Sequence, residues 1–318
     1  MGHAPRGLVQ QPTKKSDMLR TLTLSLLLLL TTACATAPST PDALDGTALS
    51  PGIYRVATGV RVTEEALLAE LATAPLVYVG ETHDNAAHHA VQARIVEGLM
   101  RRAPARRVAL GLEMFQRPYQ SALDAFMKGD LDEAALLQQT EYEKRWGFDF
   151  AFYRPMVALA QQRGARIIAL NAPSELTRKV AREGLDALNA EERALLPPTL
   201  HAENPAHRAL FDEVMNSVHA GMDEATLDRF YAAQVIWDAT MAMSAVEGLE
   251  RPEVEQVVVL AGMVHVQGGL GIPFHVQRLK PGVRARIVLP AQATKEAPVF
   301  AEEVFGSGDG DFVWVWGE

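Results

Sequence analysis

Four short, nearly unbroken apolar runs punctuate the chain: Leu76-Val77-Tyr78-Val79, Arg107-Val108-Ala109-Leu110-Gly111-Leu112, Arg166-Ile167-Ile168-Ala169-Leu170 and Val257-Val258-Val259-Leu260-Ala261. None alternates polar with apolar, so each predicts a central strand of a parallel sheet covered on both faces. Gly, Asn or an acid follows each run and turns the chain at the strand's carboxyl end. Between the runs the apolar period changes to that of helices. Asn85 to Arg102 sets His88, Val91, Ile95 and Leu99 on one face, with Asp84 or Asn85 as N-cap. Tyr153 to Arg163 predicts a second helix closed by Gly164. More than 80 residues separate the third and fourth runs, too many for one crossover. Helical patterns at 175–185, 190–195, 205–218 and 226–246 predict an all-helical subdomain, about 174–250, inserted over the strand ends. Ala285 to Leu289 and Phe312 to Trp316 predict further strands, the last an edge strand because its aromatics alternate. The expected fold is α/β, a mostly parallel central sheet flanked by helices.

Composition leaves that picture intact. Of 318 residues, 48% are hydrophobic and 22% charged, an ordinary globular balance. A formal net charge of -9 gives no basic surplus to neutralise phosphates, so no nucleic-acid partner is expected. The amino terminus has a separate purpose. Lys14, Lys15 and Arg20 precede the apolar run Leu22–Leu30, roughly ten residues long against about 20 for a bilayer span, which is the pattern of a signal peptide. Met18 is an alternative start. The run exits through Thr31-Thr32-Ala33-Cys34, similar to a lipobox with Thr31 where Leu is usual. Lipidation of Cys34 is the expectation; ordinary cleavage nearby is the alternative. Cys34 is the single cysteine, so the chain has no intramolecular disulfide and no thiolate metal cage. Residues 35–52, rich in Ala, Thr, Pro and Ser, predict a flexible tether, leaving 53–318 as one domain.

Chemistry concentrates at the strand ends. Gly80-Glu81-Thr82-His83 follows the first run and Gly262-Met263-Val264-His265 the fourth. Glycine permits a tight exit and close backbone approach, and the histidine then lies over the sheet's carboxyl edge, where open α/β sheets bind ligands. Glu113 ends the second run and Asn171 the third. Two imidazoles and two carboxylates suit a divalent metal held by Glu81, His83, Glu113 and His265. The same four suit catalysis in which a carboxylate orients a histidine general base. The bland alternative makes the acids helix caps and the histidines core. No Gly-x-Ser-x-Gly elbow accompanies them. On the helix 226–246, Tyr231, Gln234, Asp238 and Met241 fall on one line and Phe230, Ala233 and Trp237 on the other. A helix apolar nearly all round is buried, and a buried Asp238 needs partners. It either supports the site or ties the subdomain down. His88 is a candidate site wall and Tyr153 a candidate iron ligand. His89, His201, His207 and His219 read as solvated.

These stretches carry a resemblance. Val79-Gly80-Glu81-Thr82-His83-Asp84-Asn85, Gly111-Leu112-Glu113-Met114-Phe115-Gln116-Arg117, Trp146-Gly147-Phe148-Asp149, Tyr153-Arg154-Pro155, Asn171-Ala172-Pro173, Ala232 to Ala242 and Ala261-Gly262-Met263-Val264-His265 resemble the ChaN-like haem-binding uptake lipoproteins. The resemblance runs in order from Leu76 to Pro290. It extends to a superfamily with Tiki-type proteases, TraB-like proteins and erythromycin esterases, whose shared elements correspond to Glu81, His83, Glu113 and His265. It implies an α/β core with a helical subdomain and haem as cofactor, with His83, His88, Tyr153, Gln234, Asp238 and His265 as candidate contacts. A tyrosine role is implied and stays open among Tyr142, Tyr153 and Tyr231. Also implied are a homodimer on haem binding and a lipid-anchored place in the cell envelope, at the periplasmic face of the outer membrane. Without lipidation the protein is secreted or periplasmic. The alternative is a metal-dependent or histidine-based hydrolase of the erythromycin esterase or Tiki type.

Overall fold

The computed structural model describes residues 46–103, 107–218 and 221–317. The signal segment, Cys34, most of the tether and His219 lie outside the described residues. Among the described residues eight strands form one sheet: β1 Gly52–Arg55, β2 Val60–Val62, β3 Leu76–Glu81, β4 Val108–Gln116, β5 Arg166–Asn171, β6 Gln256–Gly262, β7 Ala285–Ala293 and β8 Phe312–Gly317. Their order is β2-β1-β8-β7-β3-β6-β4-β5. β3 to β8 run parallel, and β1 with β2 adds an antiparallel hairpin beside β8.

Continuous apolar sequence makes the central strands two-faced. On β3, Val77 and Val79 join one core with Val91, Ile95 and Leu99 of the helix Ala86–Arg102. Leu76 and Tyr78 turn the other way, onto Met241, Ala242 and Ala245 of the helix Glu224–Leu249. β6 divides likewise, Val258 and Leu260 against Val257, Val259 and Ala261. Asn85 caps the helix Ala86–Arg102, its side chain accepting from the Ala87 and His88 N–H groups. Gly164, at φ 64°, closes the helix Arg154–Arg163 in the left-handed region.

The subdomain lies between β5 and β6, in helices Ser174–Glu183, Ala190–Ala194, Pro205–Val218 and Glu224–Leu249. The last is apolar all round because it is surrounded. Ala233 and Ile236 pack on Leu176 and Val180, and Tyr231 and Val235 on Phe211, while the later turns lie on the sheet. Among the described residues no helix is long and apolar enough to cross a membrane.

Three expectations are corrected. β8 is an inner strand, not an edge, since β1 and β7 flank it. Its aromatics Phe312 and Trp314 fill one core, and the intervening Val313 and Val315 fill another, so both faces are apolar. The end of the tether is tied down: Ala48 bridges Phe300, the Leu49 N–H donates to the Val299 carbonyl at 2.8 Å, and Gly52 opens β1. The third apolar run is an edge strand, β5. Its open flank is covered by Gln120, whose amide nitrogen donates to the Ile167 carbonyl at 2.9 Å and whose oxygen accepts from the Ala169 N–H at 2.8 Å. That side chain makes the two bonds a further strand would make.

Candidate functional site

Strand pleating decides where the two acids point. Glu81 continues the Val77–Val79 line of β3 and faces the layer of the helix Ala86–Arg102. Glu113 continues the Ala109–Gly111 line of β4 and faces the other layer. Around Glu113 the β4–β5 register slips: Leu112 pairs with Ala169 but Gln116 with Asn171, so four steps on β4 face two on β5. Such bulges re-aim side chains at the rim of a sheet. Both carboxyls are buried, at 2% and 4% exposure. Glu81 Oε1 lies 2.6 Å from His83 Nδ1. Its Oε2 is buried without a hydrogen-bond partner among the described residues, with His89 Nε2 at 3.9 Å. Glu113 Oε2 accepts from the Gly262 N–H at 2.7 Å, and its Oε1 lies 3.2 Å from His265 Nε2.

His265 sits between two carboxylates. Nδ1 is 2.6 Å from Asp238 Oδ1 and Nε2 faces Glu113. Asp238 is fully buried; its second oxygen lies 3.3 Å from His207 Nε2 and from the Gln234 amide. Burial opposes charge on His265, but Glu113 and Asp238 outweigh it and hold its pKa well above the ordinary value. With both ring nitrogens protonated, each donates to one acid. Burial likewise would raise Glu113, yet the charge and hydrogen bond of His265, with His83 and the Gly262 N–H, hold it at about 2. A charged chain Asp238–His265–Glu113 therefore crosses the strand ends. It reaches toward His83, whose pKa burial lowers but Glu81 and Glu113 raise on balance.

His83 and His265 open into one cleft of ≈ 350 Å³, bordered also by Met114, Trp146, Phe148, Arg178, Gln234 and Trp237. The His83 ring packs against Trp146 and Phe148, with centroids at 4.6 and 4.8 Å. Its side chain is 30% exposed, and Nε2 makes no hydrogen bond among the described residues. Gly262 lets the two histidines approach: a Cβ there would lie 2.9 Å from His83 Cε1 and 3.6 Å from His265 Cδ2.

Of the residues singled out in the sequence, Glu81, His83 and Glu113 bring ligand atoms within 4.8 Å of one another, a set that could hold a metal ion. His265 is not in that set; its Nδ1 lies beside Asp238 and its Nε2 beside Glu113. Gln234 and Asp238 do reach the site, Asp238 as the partner of His265. Tyr153 is fully buried beneath it, its hydroxyl 3.5 Å from Glu81 Oε1 and 3.3 Å from Trp146 Nε1. Tyr231 lies further off, beside His207. His88 borders a different concavity, with Met263 and Gln292. Its Nδ1 accepts from the Thr82 N–H at 3.0 Å, and burial lowers its pKa to about 4, so it is neutral. His89 and His207, expected in solvent, are buried. His89 stacks on Phe152; its Nε2 donates to the His83 carbonyl at 3.1 Å and its Nδ1 lies 3.0 Å from Gln92 Oε1. His275 is buried too, its pKa lowered by burial to about 4. Two spacings signal these positions: His89, Gln92 and Val96 make a second inward line on their helix, and His207 precedes buried Phe211 by four residues.

Residues 67–276 match the family described as "Haem-binding uptake, Tiki superfamily, ChaN". Among solved structures, one of cofacial haem binding to ChaN of Campylobacter jejuni has a TM-score of 0.65 at 21% identity, covering 82% of this chain and 94% of that one. An erythromycin esterase in its open conformation has a TM-score of 0.45 at 13% identity, covering 77% of each chain. No curated protein sequence matches significantly.

Proposed function

The chain belongs to the ChaN family of haem-binding uptake proteins in the Tiki superfamily, and from that premise we propose that it binds haem in the cleft at His83 and serves iron acquisition at the cell envelope. The observation that carries this reading is the state of His83. Glu81 fixes Nδ1 at 2.6 Å and leaves Nε2 to the cleft, between two aromatic rings. A carboxylate behind an imidazole fixes its tautomer and raises its basicity toward a metal. Haem, when bound, would supply an iron that such an imidazole, His83, would hold. Trp146, Phe148 and Trp237 give the apolar walls a porphyrin face requires. Tyr153 is buried below the floor, its hydroxyl accepting from Trp146 Nε1 and donating to Glu81; His88 is a turn residue in this reading.

Titration of purified protein with haemin tests this. A saturable Soret shift is expected, lost in His83→Ala; an unshifted Soret band in the wild type refutes it. The relative from Campylobacter jejuni binds haem cofacially, and the same arrangement here would set two clefts face to face, so loading should double the mass seen by light scattering. The apolar run Leu22–Leu30 and Cys34 support a lipid anchor; Cys34→Ser is then expected to move the protein from the membrane to the soluble fraction.

A second reading rests on the Glu81–His83–Glu113 cluster. These three would hold a divalent ion, which would supply an activated water for hydrolysis. His265, kept protonated by Asp238 and Glu113, would then stabilise developing negative charge. Stoichiometric metal, with ester or peptide hydrolysis lost in Glu113→Gln, would favour this reading over the first.

A further inference from the structure

Asp238 has a second set of neighbours, which does not border the cleft. His207, on the helix Pro205–Val218, is buried. Its Nε2 lies 3.3 Å from Asp238 Oδ2 without making a hydrogen bond among the described residues, and its Nδ1 lies 3.4 Å from the Tyr231 hydroxyl. His275, on the helix Ile272–Leu279, is buried and stacks on His201 of the connection before Pro205, with centroids at 6.3 Å. Burial lowers the pKa of His207, helped by the charge of His265 and opposed by Asp238, and burial lowers that of His275 to about 4, so both are neutral at pH 7. The other charges facing them give no relief. Arg208, over the Tyr231 ring at 5.2 Å, pairs with Asp212 at 2.7 Å and Asp228 at 2.6 Å, and Arg278 adds positive charge beside His275. The element that carries His207 is lightly held. Of its described side chains only His207 and Phe211 are buried, and Phe211 belongs to a core of three with Tyr231 and Val235. The connection before it is tied by the Asn204 amide, which donates to the Leu270 carbonyl at 3.1 Å. A buried imidazole that takes a proton regains its hydration by carrying such a segment into water.

We propose that residues 200–218 are an acid-released latch: protonation of His207 and His275 frees the segment from Asp238 and from the helix Ile272–Leu279, and the loosened wall lets the bound molecule leave the cleft. The control of the cleft rests on the haem reading; the latch itself does not. Asp238 is the link. It holds His265 Nδ1 at 2.6 Å, and it shares one turn of its helix with Gln234 and Trp237, which border the cleft. Water admitted to Asp238 is therefore felt on the cleft side. The sign follows from the neutral state. Neutral His207 and His275 stabilise the closed form above their ordinary value of 6.5, and that contribution is lost as pH falls below it, so opening grows in acid.

Hydrogen exchange read by mass spectrometry on the unliganded protein at pH 7.5 and 5.5, corrected for the intrinsic pH dependence, measures the latch. Peptides within 200–218 are expected to lose protection about tenfold at the lower pH, while those of β3 and β6 keep theirs. His207→Gln offers Asp238 an amide and the Tyr231 hydroxyl an oxygen without taking a proton, and should abolish most of the loss; His275→Gln should abolish part of it. Histidine ring resonances of the wild type, followed by NMR over the same range, need no variant: protonation of a buried histidine and loss of protection should share one midpoint. Protection in 200–218 that is flat with pH, or that falls equally in His207→Gln, overturns the latch. Haemin-loaded protein mixed with excess apomyoglobin then reports release. Wild type and His207→Gln should release haemin equally at pH 7.5, and wild type several-fold faster at pH 5.5. Equal rates at both pH values overturn the control of the cleft. Failure of the wild type to bind haemin at pH 7.5 overturns the haem reading, and control of the cleft with it, while exchange alone still decides the latch.

Discussion

Asp238→Asn removes a negative charge from a place solvent does not reach. Asp238 is fully buried, 2.6 Å from His265 Nδ1 and 3.3 Å from His207 Nε2. Asparagine keeps the volume and loses the charge, so His265 is left with Glu113 alone. Breaking a buried ion pair by removing one partner costs about 3–5 kcal/mol. At roughly 2–4 °C per kcal/mol for a domain of this size, the melting temperature should fall by about 10 °C. The pH dependence carries a sign. His265 has a raised pKa, so its contribution is complete below its unfolded pKa and fades as pH rises through the folded one. Asp238→Asn lowers that folded pKa and should bring the alkaline loss to lower pH. Glu113 runs the other way: held at about 2 against 4.5 when free, it contributes about 3 kcal/mol above pH 4.5, lost as pH falls toward 2. Thermal unfolding by circular dichroism across pH, with Asp238→Asn, His265→Gln and the double variant, measures both effects. His265→Gln should cost less in the Asp238→Asn background. A cost under about 1 kcal/mol for Asp238→Asn, with the alkaline limb unmoved, would refute a charged chain at the strand ends.

Other substitutions separate the site from its surroundings. Gly262→Ala places a methyl 2.9 Å from His83 Cε1; overpacking of about 1–3 kcal/mol is expected, with haemin affinity falling more than stability, measured by titration beside melting. His88→Ala strands the Thr82 N–H and should cost about 1–3 kcal/mol without moving the Soret band of loaded protein. Because the His88 pKa is lowered to about 4, its neutral form stabilises the fold above its unfolded pKa and less so as pH falls below it; the variant should flatten that acid limb. Gln120→Ala uncovers the β5 edge at Ile167 and Ala169, and concentration-dependent light scattering is expected to rise.

The parallel core was legible because its strands are apolar on both faces, a pattern only a sheet covered twice requires. The Gly-x-x-His repeats marked which strand ends carry polar groups, and Asp238 declared itself as an acid in a helix with no polar face. What escaped has physical reasons. β1 and β2 are four and three residues long, and β2 faces solvent, so neither makes a run. Helices Gln120–Lys128, Glu133–Gln139 and Tyr142–Arg145, which carry the chain toward Trp146 and Phe148, are too short for periodicity to speak. His89 and His207 looked solvated because a lone histidine carries no mark of burial; their partners, the His83 carbonyl and Asp238, come from other elements. The Glu113–Gly262 bond spans 149 positions and depends on the β4 bulge.

The pleat that turns Glu81 and Glu113 to opposite sides has a mechanical result. Glu81 is rooted in the packing beneath the helix Ala86–Arg102, and His265 in that beneath the helix Glu224–Leu249. A molecule seated on His83 and touching His265 therefore rivets together two slabs packed on opposite faces of the sheet. Occupancy should slow hydrogen exchange in both helices at once, far beyond the handful of groups it contacts.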